Sequence, residues 1–483
     1  MLFNSIDFAI FLPIVFVLYW FVAQKHLRLQ NGLIVLASYV FYGWWDWRFL
    51  SLILFSTLID YSIGNLLKRE EQVFKRKIYL WTSIAFNLGF LGFFKYYNFF
   101  LDNFIAAFSF FGSEIQASTL TIILPVGISF YTFQTLSYTI DVYKRKLEPT
   151  NDFVAFSAFV SFFPQLVAGP IERASNLLPQ FYHKRVFNYN KAVDGMRQIL
   201  WGLFKKIVIA DNCAEFANHI FNNSADMNGS TLVLGAVFFT FQIYGDFSGY
   251  SDIAIGTSRL FGFDLMRNFN FPYFSRNIAE FWRRWHISLS TWFRDYLYIP
   301  LGGSRGGTWM KVRNTFIIFI VSGFWHGANW TFVIWGVLNA LYFLPLMLTN
   351  RSRNNFDIVA QGKYFPSLKE LLLILLTFSL TVFAWIFFRA ENISHAFSYI
   401  SEIFSSSLFD VPSFVGIGRA FVVFLLIAFF VLIEWVGREG QYAIAHLGIS
   451  WNPALRWSFY AFLIFAIGMY MPSVESPFIY FQF

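Results

Sequence analysis

The chain has 483 residues, 57% of them hydrophobic, 22% aromatic and 13% charged, with 67 Phe and a formal net charge of +8. Soluble globular proteins carry about 25% charged residues, so this composition sets the chain apart from them, and apolar runs of membrane length recur along it. The positive excess reads as basic cytoplasmic loops facing anionic lipid rather than a nucleic-acid footprint, and one cysteine, Cys213, excludes an intrachain disulfide and a multi-cysteine metal site.

The start, MLFNSIDF, holds Asp7 and no Lys or Arg, so it lacks the basic opening of a signal peptide, and no small-residue cleavage site follows. Phe8 to Val22 is therefore expected to stay as a first helix, ending at a cytoplasmic turn with Lys25 and Arg28. A second helix, Gly32 to Trp45, leads into WWDWRF, which suits an interfacial aromatic belt. A third, Leu50 to Leu67, contains Asp60 and returns to Lys68–Lys77, where five of ten residues are basic. A fourth runs from Ile78 to Phe94. Lys95 to Ser118 is expected outside, and Thr119 to Ile140 comes back to Lys144, Arg145 and Lys146. The charge bias thus places the N-terminus externally.

Phe159 to Arg173, FVSFFPQLVAGPIER, is apolar but interrupted by Pro164, Gly169 and Pro170. A re-entrant or cavity-lining segment is expected there, because irregular backbone within a membrane needs protein or water to satisfy it. No Lys or Arg occurs between Ile207 and Ser258, so a helix ending near Asp211 and one starting near Thr231 are expected to flank an external loop. The second of these closes on FQIYGDFSGYSDIAIG, expected near the inner face. Its Asp246 and Asp252 suit a satisfied structural pair and a substrate contact equally.

Arg259 to Arg313 packs nine basic residues into 55, interleaved with aromatics. Within it, Phe281 to Gly307 reads as one amphipathic helix lying in the interface. Arg284, Ser288, Thr291 and Asp295 form its polar stripe, and Trp282, His286, Leu289 and Phe293 the apolar one. An anchor role explains the arginines and tryptophans; His286 on the apolar side leaves a functional role open. LGGSRGG lacks the Gly-Lys-Ser/Thr ending of a phosphate loop and follows no strand.

The central stretch is VSGFWHGANWTFVIWG, Val321 to Gly336. Counted from Arg313, His326 lies 13 residues in, or about 20 Å at a helical rise of roughly 1.5 Å. An ionisable group at such depth in a hydrocarbon layer about 30 Å thick is costly and reads first as functional. The alternative is a histidine bonded to a neighbouring helix. Gly323 and Gly327 leave room beside it for backbone or a ligand. After a basic connector, Arg351 to Lys369, helices are expected over Glu370 to Phe388, Arg419 to Val436 and Arg456 to Met471. They read as scaffold within residues 370–483 of a single domain covering 1–483.

No Gly-x-Ser-x-Gly elbow, His-Glu-x-x-His motif or His-x4-Asp pair is present, which argues against a serine hydrolase, a zinc enzyme and the soluble acyltransferase signature. What remains is a buried imidazole suited to deprotonating a hydroxyl and a basic face suited to the phosphates of a nucleotide-like thioester.

Five motifs carry a specific resemblance: LPVGISFYTFQTLSYTIDVY, FFPQLVAGPIER, FQIYGDFSGYSDIAIG, NFNFPYFSRNIAEFWRRWHISLSTWFRDYLYIPLGG and GFWHGANWTFVIWG, running from about residue 124 to 336, with ASYVFYGWW before them. Together they resemble the membrane-bound O-acyltransferase superfamily, in its bacterial alginate O-acetyltransferase branch. The resemblance implies an all-α polytopic fold of ten or more membrane-embedded helices around a central tunnel, its motif-bearing core at about 124–345. It also implies a catalytic histidine at His326 and a second at His286, in a bacterial inner-membrane enzyme. Trp325, Asn329, Asp246, Arg283, Arg284 and Arg294 are the candidate substrate or donor contacts. Neither metal nor resident cofactor is expected. Acetyl-CoA or another acyl thioester would be the donor, and a polysaccharide or an extracytoplasmic acetyl-accepting protein the partner outside. Two alternatives remain: transfer of D-alanine, or of acetyl onto peptidoglycan, by the same mechanism, and a transporter or flippase, for which inverted repeats would be expected.

Overall fold

The computed structural model describes residues 1–110, 118–472 and 478–479. Among these the chain is helical, without a strand, and divides into two compact units: Met1–Ala192 with Ser258–Leu265, and Val193–Thr257 with Met266–Phe483.

The first unit opens with α1 (Ile6–Val17), started by Ser5, whose hydroxyl accepts the Phe8 N–H at 3.2 Å. α2 (Leu27–Asp46), α3 (Leu50–Arg69) and α4 (Val73–Leu91) follow, close to the bounds expected from hydropathy. α5 (Tyr97–Phe110) occupies much of the stretch read as an external loop, whose residues 111–117 lie outside the described residues. The helix expected over Thr119 to Ile140 is shorter: α6 (Ile128–Tyr143) begins only after Gly127, which sits in left-handed backbone at φ +76°. Leu124 to Gly127 therefore belong to a connector, although their side chains are apolar.

α7 (Phe153–Ser161) is capped by Asp152, and residues 162–173 then leave helical geometry at the prolines and glycine. Their polar groups are met by protein. Phe163 N–H donates to Ser38 Oγ at 3.0 Å, and Gln165 Nε2 donates to Gln134 Oε1 at 3.0 Å. α8 (Ala174–Leu177) is a single turn. In the same unit the buried Asp60 carboxylate accepts from Ser83, Asn87 and Thr139, so a polar side chain within an apolar span has its partners.

The unit boundary falls within α9 (Tyr189–Leu203), which continues through a π-helical turn, Phe204–Ala210, directly into α10 (Asp211–Asn222). The helix end expected near Asp211 is therefore a widened turn. α11 (Gly229–Leu260) is a single helix of 32 residues, so Asp246 and Asp252 lie inside it. Its glycines let α9 approach backbone to backbone: a Cβ on Gly249 would lie 2.8 Å from the Gly202 carbonyl oxygen.

The remaining helices are α12 (Ile278–Arg284), α13 (Ile287–Phe293), α14 (Gly307–His326), α15 (Trp330–Leu348), α16 (Leu368–Arg389), α17 (Ile393–Ile403), α18 (Ile417–Gly437) and α19 (Pro453–Tyr470). α14 and α15 form a tight antiparallel hairpin. A Cβ on Gly323 would come within 2.2 Å of the Phe332 carbonyl oxygen, and one on Gly336 within 2.3 Å of that of Phe319.

Five described stretches are long and apolar enough to cross a membrane: Leu27–Arg69, which holds α2 and α3, then Gly229–Leu260, Trp330–Leu348, Leu368–Arg389 and Ile417–Gly437. That is fewer than the ten or so helices expected. α4 carries Lys75, Arg76 and Lys77 in its first turns, α14 carries Lys311 and Arg313, and α6 has only 16 residues.

Candidate functional site

Both sequence-identified histidines lie in the second unit, each at a break between helices. The amphipathic helix expected from Phe281 to Gly307 is interrupted at Trp285–His286. His286 adopts left-handed backbone (φ 42°, ψ 55°) and precedes α13. The segment 268–270 holds the break open: Asn270 N–H donates to the Arg284 carbonyl, and Ile287 N–H to that of Asn268, both at 2.9 Å. Such backbone is disfavoured for a residue with a Cβ and persists where the surroundings impose it. The expected face assignment fails with the helix, since Arg284 is buried against Glu280 at 2.8 Å.

His286 is only 1% exposed. Its Nδ1 lies 3.1 Å from Asn268 Oδ1, which also accepts from Ser288 Oγ at 2.8 Å and Ser288 N–H at 3.3 Å. Phe247 meets the ring edge-on, with centroids 4.6 Å apart.

Val321 to Gly336 is likewise not one helix. α14 ends at His326, Gly327 is extended, and Asn329 caps α15 by accepting the Thr331 N–H at 3.0 Å. The Asn329 amide donates to the carbonyl of Glu391, just past the end of α16, at 2.7 Å. Three helix ends thus meet beside His326, which sits at the tip of the hairpin rather than midway along a span.

His326 is 3% exposed and enclosed by rings. Trp325 lies at 5.0 Å, Phe388 at 5.2 Å and Trp335 at 5.3 Å between centroids, all at steep angles to the imidazole. Trp385 stacks on Trp335 at 5.7 Å. The Trp325 ring is also 6.2 Å from His286, so one indole neighbours both imidazoles. Such a pocket excludes water around a nitrogen base.

The other candidates have separate surroundings. Asp246 is an ion-pair partner of Lys206 at 2.9 Å and accepts the Ile479 N–H at 2.7 Å. Arg283 donates to the carbonyls of Ser352, Asn354 and Asn355, and Arg284 to those of Asn270 and Asp357. Their guanidinium groups fasten the 352–357 connector. Arg276 joins them, and its hydrogen bonds to the Asp357 carboxyl hold that group below its usual carboxylate range. Arg294, 60% exposed and bonded to Asp295, stands with Lys311 and Arg353 in a cleft of about 680 Å³ whose wall includes Phe319, Phe343 and Met347.

Sequence reasoning passed over two groups. Asn268 was read only as part of a motif. The other is a buried charge cluster: Lys205 binds Asp252 at 2.6 Å and Ser248 Oγ at 3.0 Å, and Glu434 lies 3.8 Å away, accepting the Tyr244 hydroxyl at 2.6 Å. The only signal for it was two lysines inside a helical apolar segment. Among the described residues no group of three or more His, Cys, Asp or Glu side chains is placed to hold a metal ion.

A model of the membrane-bound O-acyltransferase family matches residues 146–383, a span holding both histidines, Asn268 and Arg294. The probable alginate O-acetylase of Pseudomonas aeruginosa is 40% identical over 452 residues, covering 91% of this chain and 83% of the relative. That of Pseudomonas putida is 37% identical over 510 residues, covering all of both. The peptidoglycan O-acetyltransferase of Helicobacter pylori is 37% identical over 428 residues, covering 82% and 78%. At this identity and coverage, the chain belongs to the membrane-bound O-acyltransferase family and is an O-acyltransferase.

Proposed function

We propose that this enzyme O-acetylates an envelope polysaccharide, drawing acetyl from a cytoplasmic thioester and delivering it at the opposite membrane face, to the polymer directly or through an extracytoplasmic acceptor protein. The observation that carries this reading is that His326 and His286 both neighbour the Trp325 ring, among buried aromatic side chains at the hairpin tip. The names of the relatives supply the acyl group and the class of acceptor.

His326 serves as the general base. One imidazole nitrogen takes the proton of the attacking hydroxyl as oxygen bonds to the thioester carbonyl carbon. The C–S bond then breaks, and the proton passes on to the departing thiolate. The aromatic walls keep water from intercepting the acyl group.

The donor's other end belongs at the basic end of α14. Arg313 and His326 are 13 residues apart on one helix, about 20 Å, so a thioester anchored near Arg313 must reach His326 through a long arm. The cleft holding Arg294, Lys311 and Arg353 offers cations for its phosphates and an apolar wall for the arm. Combining Arg294→Gln with Lys311→Gln should raise the apparent KM for the thioester several-fold and leave kcat near wild type. An unchanged KM would move donor binding elsewhere.

Charge bias also orients the molecule. The connector with Arg351, Arg353 and Lys363 lies before α16, whose first turn adds Lys369, and is read as cytoplasmic. At the far end of α16, Arg389 binds Asn218 and Asn222 at 2.9 and 3.2 Å in a region poor in basic residues. Cysteines replacing Lys363 and Asn223 in a Cys213→Ser background test this. In intact cells an impermeant thiol reagent should label position 223 and spare 363. The reverse pattern would invert the orientation.

A further inference from the structure

The hydrogen bonds around His286 determine which of its nitrogens carries the proton, and one side chain is responsible. Asn268 is fully buried. Its carbonyl oxygen faces the backbone N–H of Ser288, which can only donate. Turning the amide around would set NH2 against N–H, so the orientation is dictated by chemistry. The amide nitrogen points the other way and donates to Ser251 Oγ on α11 at 3.1 Å. The atom 3.1 Å from His286 Nδ1 is therefore an acceptor, and Nδ1 must bear the hydrogen. In a neutral imidazole that leaves Nε2 unprotonated, an acceptor rather than a donor.

We propose that Asn268 is a positioning residue that holds His286 in the Nδ1-protonated tautomer, so that Nε2 acts as a hydrogen-bond acceptor for the incoming hydroxyl. The inference deepens the reading of the His286–His326 pocket as the transfer site and rests on it. His286 then orients the hydroxyl and supplies no hydrogen bond to the carbonyl oxygen of the thioester. The clamp is built into the fold: the same residue's backbone carbonyl accepts the Ile287 N–H, fixing the break in which the imidazole stands. On its other side Asn268 lines a small polar cavity shared with Lys205, Asp252 and Arg267. The amide thus separates that charge cluster from the imidazole.

Nitrogen NMR of the ¹⁵N-histidine-labelled protein reads the tautomer directly, with His286→Gln identifying the resonances. Nδ1 should be protonated and Nε2 bare at neutral pH; a protonated Nε2 with a bare Nδ1 overturns the proposal whatever the activity. Asn268→Leu should lose the fixed tautomer and raise the acceptor KM as far as His286→Ala does; retention of the tautomer with a wild-type KM would also overturn it. Asn268→Asp keeps the acceptor but adds a charge that favours the imidazolium, so its acid limb should move to higher pH by about one unit or more. An unmoved limb in a folded, active Asp variant counts against the proposal. Should His286→Ala instead keep full activity while the tautomer is as expected, the pocket reading fails and the assignment of Asn268 stands.

Discussion

His326→Gln should accumulate in the membrane at wild-type level and leave the polymer unacetylated. Glutamine keeps much of the size and hydrogen bonding of the imidazole but cannot take up a proton at neutral pH. Removing a general base typically costs 10²–10⁴-fold in rate, and here the loss should fall on kcat with the donor KM little changed. His286→Ala should be milder, with residual turnover and a higher KM for the acceptor, because that ring orients the hydroxyl without accepting its proton. The comparison is made on polymer acetyl content at matched amounts of inserted protein. Wild-type acetylation by the Gln variant would reduce His326 to a packing residue among Trp325, Trp335 and Phe388.

The largest loss of stability should come from Lys205→Met, in the charge cluster that Asn268 separates from His286. The Lys205 side chain is 5% exposed, and its ammonium group stands between Asp252 and Glu434. Methionine fills much of the same volume yet leaves two carboxylates buried without their cation. Breaking a buried ion pair from one side costs about 3–5 kcal/mol, which should appear as a marked drop in the thermal midpoint of the detergent-solubilised protein. Adding Asp252→Asn and Glu434→Gln should recover most of the loss, since neutral amides can still bond to Gln198 and Tyr244. If the triple variant is no more stable than the single one, the cluster is held by something other than charge balance.

How much of this was legible beforehand depended on what the signal was. Hydropathy located α1 to α4 and the three helices α16, α18 and α19 to within a few residues, because burial in lipid is written in composition. It failed where helices break. Nothing apolar distinguishes Thr119 to Val126 from a helix, and the break at Trp285–His286 comes from backbone hydrogen bonds to residues 268–270, a long-range pairing. His326 and His286 stood out because titratable groups are rare in apolar runs. Their common neighbour Trp325 belonged to the motif, but its place beside both rings follows only from the hairpin. Arg283 and Arg284 looked like donor contacts by charge alone, and the carbonyls they fasten carry no sequence signature.

The pairing of Lys205 and Lys206 also constrains how the protein is made. Each lysine costs roughly 2.5–3.5 kcal/mol when inserted alone at the centre of a membrane helix, and these two are adjacent. Lys206 has one partner close by, Asp211 at 2.8 Å, but its other partner Asp246, and the Asp252 that binds Lys205, are on α11, about forty residues further along the chain. At a synthesis rate of roughly 5–20 residues per second, Lys205 waits some seconds for Asp252, and considerably longer for Glu434. The segment around them therefore has reason to linger at the lipid headgroups, or against the insertion machinery, until α11 emerges. The two then settle inward together with their charges paired, which makes the order of translation part of the folding pathway.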